Sequence, residues 1–101
     1  MANNNFFNDL PMKAEKEITS CNILKVQVGT TGFCGGDSGH GGRTYFSLED
    51  LASTDMTILV GGQSFERGKV ELCFGGDTEL ETLAEALEFA AKSLKVMAGI
   101  E

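Results

Sequence analysis

A chain of 101 residues has room for one domain with one core, which excludes a two-domain enzyme. A hydrophobic content of 42% belongs to a folded protein rather than a disordered one. The net charge of −7, from fifteen acids against eight bases, argues against general binding to a nucleic-acid backbone, which requires a basic face.

The chain starts Met1-Ala2-Asn3-Asn4-Asn5, without the basic start or apolar stretch of a signal peptide, so a cytoplasmic location is the expectation. Its longest apolar runs, such as residues 56–60, fall far short of the roughly 20 residues that span a bilayer, and no membrane contact is expected. Residues 1–12 show no sustained period and read as an N-terminal arm, flexible or ordered by a partner, ahead of a single domain over residues 13–101. Phe6 and Phe7 in that arm are suited to clamp onto the domain or onto a second subunit. Residues 12–17 are polar and suit either a short helix or the lead into a first strand.

Alternation then predicts four strands. Leu24, Val26 and Val28 share one face of residues 23–28, with Lys25 and Gln27 on the other. Thr44, Phe46 and Leu48 alternate with Tyr45 and Ser47 in a second strand, and residues 49–55 read as a connection. Met56, Ile58 and Val60 mark a third strand that stops at Gly61-Gly62, and residues 63–68 read as a polar turn. Val70, Leu72 and Phe74 mark the fourth.

The helix comes last. Thr78-Glu79-Leu80-Glu81 fits a capping box. Leu80, Leu83, Leu87, Ala90, Ala91, Leu94 and Met97 recur at helical spacing as a core stripe. Glu81, Glu85, Glu88, Lys92 and Lys95 run down the solvent side, acids first and bases last, as the helix dipole favours, and Gly99 is the expected terminator. The order of elements predicts an α+β fold: a small antiparallel, meander-like four-stranded sheet with one C-terminal amphipathic helix packed on one face. The second face then needs the arm or another subunit, which makes a homodimer one expectation.

The segment 29–43, Gly-Thr-Thr-Gly-Phe-Cys-Gly-Gly-Asp-Ser-Gly-His-Gly-Gly-Arg, holds seven of the thirteen glycines and the single histidine. Connections this long are more often functional than short ones, and four readings compete for it. As an anion or nucleotide site, its turn amides would converge on one point and Arg43 would supply the fixed charge, although no Walker pattern is present. As a zinc site it would use Cys34, Asp37 and His40, with Cys73 as a fourth ligand, but no Cys-x-x-Cys or His-x-x-x-His pair accompanies them. As a catalytic segment, Gly36-Asp37-Ser38-Gly39 resembles the nucleophile stretch of trypsin-like serine proteases over four residues, and Cys34 with His40 would be a thiol–imidazole pair. No second histidine or orienting group completes either set, so the chain reads as a non-enzyme. As an ordinary turn, Asp37 and Ser38 would bond their own backbone. Phe33-Cys34-Gly35-Gly36-Asp37 is echoed by Cys73-Phe74-Gly75-Gly76-Asp77, where Asp77 or Thr78 would cap the helix. If the two copies adjoin, Cys34 and Cys73 approach each other.

Residues 34–46, Cys-Gly-Gly-Asp-Ser-Gly-His-Gly-Gly-Arg-Thr-Tyr-Phe, followed by Leu48-Glu49-Asp50-Leu51, resemble small uncharacterised proteins of bacterial phages and mobile elements. The resemblance implies a class: small acidic inhibitors of host defence, which bind a protein or sequester a nucleotide signal. The expectation is a non-enzymatic, cofactor-free binding protein that occludes a host protein through Asp37, Ser38, His40, Arg43 and the surface aromatic Tyr45. The alternatives are a nucleotide or other anionic small-molecule binder using Arg43, and a small zinc protein.

Overall fold

The computed structural model describes residues 6–19, 22–37, 40–52, 56–65 and 68–100. Strands β1 (Met12–Ile18), β2 (Ile23–Thr30), β3 (Arg43–Ala52) and β6 (Lys69–Gly75) form one antiparallel sheet in the order β1-β2-β3-β6. Strands β4 (Ile58–Val60) and β5 (Gln63–Phe65) form a separate hairpin, and the helix α1 (Asp77–Ala98) packs against the sheet at β3 and β6. The expected α+β architecture is thus the one observed, with two segments reassigned. Among the described residues no helix is long and apolar enough to cross a membrane.

The first reassignment concerns residues 56–60, expected as the third strand of the sheet. Gly61 and Gly62 both take positive φ, 55° and 84°, and fold the chain straight back, so Ile58–Val60 pairs with Gln63–Phe65 instead. The stretch 63–65 is accordingly strand and not turn. The second concerns Met12–Ile18, which joins the sheet as an edge strand beside β2, while β6 pairs directly with β3. All seven of its residues are exposed, and the charges on Lys13, Glu15, Lys16 and Glu17 protect the edge from further pairing. Strand β3 also continues through Ala52, where a connection was expected, and residues 53–55 lie outside the described residues.

The register separates two faces. Leu24, Val26 and Val28 of β2 align with Asp50, Leu48 and Phe46 of β3, and Leu48, Phe46 and Thr44 align in turn with Val70, Leu72 and Phe74 of β6. Gln27, Gly29, Tyr45, Ser47, Glu71 and Cys73 share the opposite face. The N-terminal segment lies on this second face. Phe6 and Phe7 set their rings 5.8 and 5.5 Å from that of Tyr45, and a 3-10 turn over Phe7–Asp9 delivers the buried Leu10. Lys13 ties the turn down by donating to the Asn8 carbonyl at 2.8 Å, with its ammonium 5.7 Å from the centre of the Phe7 ring. Phe6 and Phe7 therefore clamp onto their own domain.

Beyond the clamp the same face carries a polar ladder. The Gln27 amide donates to Glu15 at 2.7 Å, and the Ser47 hydroxyl donates to Gln27 at 3.3 Å. Gln27, Thr44 and Ser47 are buried, and such groups are tolerable because they find partners.

The apolar face is covered only in part. Leu80, Leu83 and Leu87 of α1 are half-buried, and Leu80 shares a groove with Met12, Ala14 and Val28. Farther along the helix, Phe89, Leu94, Val96, Met97 and Ile100 are 64–78% exposed. The stripe expected to continue through Leu94 and Met97 therefore stops contributing to the core halfway along the helix. Gly99 ends the helix in the left-handed conformation, as its sequence position foretold.

Candidate functional site

The glycine-rich loop closes between the end of β2 and the start of β3. Thr31 donates its amide to the Arg43 carbonyl at 3.0 Å, and Arg43 returns its amide to the Thr31 hydroxyl at 2.9 Å. Thr30 adds a hydroxyl bond to the Arg43 carbonyl and accepts the Gly32 amide, each at 3.0 Å. These bonds bring the two ends of the loop together. Its middle is shaped by a residue from elsewhere.

Asp77, the first residue of α1, inserts its carboxylate among the loop amides. One oxygen accepts from Cys34 and Gly42, each at 2.9 Å; the other accepts from Gly35 at 2.7 Å, Cys34 at 3.1 Å and Gly36 at 3.3 Å. The amides of Cys34, Gly42, Gly35 and Gly36 hold this carboxyl down at about 2, against partial desolvation, because each donation favours the charged form. The glycines make the approach feasible. At Gly42 a Cβ would overlap the Gly32 carbonyl oxygen, and Gly41, at φ +83°, would press one onto the Gly36 backbone and the Asp77 carboxylate.

The service is reciprocal. Asp37 of the loop accepts from the Thr78 amide at 3.3 Å and the Thr78 hydroxyl at 3.1 Å, capping the helix from a distance of 41 residues in sequence. The expected capping box is not formed, because the non-helical cap residue is Gly76 and Thr78 already lies inside the helix. Backbone bonds from Asp77 to the Gly36 carbonyl at 2.7 Å and from Gly76 to the Gly42 carbonyl at 2.8 Å complete the junction. The two Gly-Gly-Asp segments do adjoin: Asp77 accepts amides of the first, and Asp37 accepts the amide of Thr78, directly after the second.

This junction changes the meaning of most candidate residues. The amide nest expected for an external anion exists, but its occupant is Asp77. The Arg43 guanidinium turns back onto the carbonyls of Gly41 and Gly42 at 3.3 and 3.0 Å. Asp37 serves as the helix cap, His40 is exposed, and Ser38 lies outside the described residues. Tyr45 corrects the expectation of a surface aromatic: it is 2% exposed, closed over by Phe6 and Phe7, and donates its hydroxyl to Glu71 at 2.7 Å. Burial, with the neighbouring Glu71 carboxylate, pushes its phenol up to about 12, opposed by a bond from Ser47.

The four residues named for zinc are not assembled as a site. Among the described residues no group of three or more His, Cys, Asp and Glu side chains is placed to hold a metal ion. Cys34 and Cys73 are free and exposed; the Cys34 thiol reaches the Gly32 carbonyl at 3.7 Å, while Cys73 sits opposite Tyr45 in the sheet. Sequence reasoning missed two residues. Asp77 was read only as a cap, although its place in the repeated Gly-Gly-Asp was the available signal. Phe33, 64% exposed beside the clamp, went unweighed as a contact residue. No family model, curated protein or solved structure matches this chain.

Proposed function

We propose that this chain is a non-enzymatic binding protein that occludes a partner protein through the clamped glycine-rich loop, with Phe33, His40 and Arg43 as the contact edge. The observation that carries the reading is the clamp. Five hydrogen bonds to Asp77 tie down the backbone amides of Cys34, Gly35, Gly36 and Gly42, and a contact segment anchored in this way loses less entropy on docking than a mobile one. Phe33 adds the exposed aromatic that commonly anchors such contacts. The resemblance of residues 34–46 to phage and mobile-element proteins supports a host defence protein as the partner and stoichiometric inhibition as the mode of action.

The nucleotide alternative loses support because the amides that would bind phosphate already bind Asp77, and Arg43 is engaged with loop carbonyls. The test is co-purification from host cells with tagged protein. Phe33→Ala combined with His40→Ala is expected to lose the captured partner while keeping Tm within about 2 °C of the parent, as for surface changes. Partner capture that survives both changes would sink the loop assignment. A nucleotide that raises Tm in the parent but not in Arg43→Ala would replace protein occlusion with small-molecule binding.

A further inference from the structure

The second half of α1 leaves Phe89, Leu94, Val96 and Met97 exposed in the single chain. From Glu81 onward the charged residues Glu81, Glu85, Glu88, Lys92 and Lys95 fall within a sector of about 80° at 3.6 residues per turn. The rest of the circumference carries two apolar ridges, roughly 150° apart on the same geometry. One ridge holds Leu80, Leu83, Leu87 and Leu94; the other holds Phe89 and Val96, with the exposed Ile100 just beyond the end of the helix. A surface helix needs one such stripe, and a helix apolar on two sides is built to be covered on both. Here the first ridge engages the sheet only as far as Leu87, and the second is exposed throughout. On the sheet, Met12, Ile18 and Leu72 add further exposed apolar surface on the face towards which Leu80 packs.

Charge order selects the occupant. Along α1 the acids Asp77, Glu79, Glu81, Glu85 and Glu88 precede Lys92 and Lys95. Two copies of this helix laid antiparallel set the acidic half of each against the basic half of the other, whereas a parallel pair sets acid against acid. We propose that the open apolar surface is closed by a second copy of this chain, in a two-fold dimer whose C-terminal helices cross antiparallel through Phe89 and Val96. Such an interface is isologous, so one self-complementary helix suffices for both sides. The proposal is independent of the loop function.

Sedimentation equilibrium at about 10 μM, a concentration at which an obligate interface remains closed, is expected to return twice the 10.8 kDa chain mass. A parent protein that sediments as a monomer overturns the proposal, including a monomer that captures a foreign protein through this helix. Phe89→Glu with Val96→Glu is expected to weaken association at least about 100-fold, the scale of a lost interface hot spot; an unchanged dimer overturns the placement. Charge exchange at exposed positions provides a second readout should that variant not fold. Lys92→Glu with Lys95→Glu, and separately Glu85→Lys with Glu88→Lys, are each expected to weaken the homodimer about tenfold at low salt, the scale of several rim charges. Mixing the two variants is expected to give predominantly the mixed dimer by native mass spectrometry. Statistical mixing, with homodimers of parental strength, overturns the antiparallel crossing.

Discussion

The Asp77 carboxylate is the side chain on which the loop depends, because it accepts from Cys34, Gly35, Gly36 and Gly42 together. Its pKa is depressed in the fold, from an ordinary 3.8 to about 2. A depressed carboxyl contributes stability that is complete above its unfolded value and fades as pH falls through its folded value. The contribution therefore holds at neutral pH and is lost between about pH 4 and pH 2. Asp77→Asn is expected to lower Tm at pH 7 by roughly 5 °C or more and to flatten the acid limb of Tm against pH. Hydrogen exchange should quicken at those four amides first. Tyr45 gives the opposite sign. Its pKa is raised, so its contribution is complete below about 10 and lost as pH rises through about 12. It is the one tyrosine in the chain, with no tryptophan to obscure it, so ultraviolet absorbance reads it alone. The expected midpoint is near 12 in native protein and near 10 in denaturant. Phe6→Ala with Phe7→Ala should bring the native midpoint down towards 10 by opening the site to water. A native midpoint already at 10 would contradict the clamp.

At the scale of elements, the helix and the loop are stabilised as one unit. Asp37→Ala is expected to cost about 1 kcal/mol in denaturant unfolding, the usual size of a lost N-cap, even though Asp37 stands far from the helix in sequence. Combining it with Asp77→Asn should cost less than the separate losses together, because both act on one junction. An additive pair would show two independent turns. That junction also explains what was legible beforehand. The strands at Ile23–Thr30 and Lys69–Gly75 and the helix were readable because alternation and helical period report local burial. Met12–Ile18 was unclear because an edge strand with charges on both faces has little hydrophobic period. Residues 56–60 alternate like any strand, and nothing in alternation tells which sheet a strand joins. The loop was recognisable from its glycines, but the partner of its amides was not, since Asp77 lies 35 residues beyond Gly42 and only the fold brings them together.

At the scale of the whole molecule the buried core is small. The buried hydrophobic residues among those described are Leu10, Tyr45 and Phe46. Three such side chains are a small core, for which burial contributes only about 1.5–3 kcal/mol each, and a domain so placed gains most from covering its open face. A second copy seated on the helix makes part of that core intermolecular, so that folding and association become linked. The consequence is a melting temperature that depends on protein concentration. For a dimer unfolding directly to two chains, with an enthalpy near 0.7 kcal/mol per residue, a hundredfold rise in concentration should raise Tm by about 7 °C. The same series on Phe89→Glu with Val96→Glu should be flat and begin below the parent, because that chain unfolds as a monomer with its apolar helix still in water. Differential scanning fluorimetry with an external dye between about 1 and 100 μM separates the two. A parent curve as flat as the variant's would mean that the exposed helix adds nothing to the stability of this fold, and that its small core is sufficient alone.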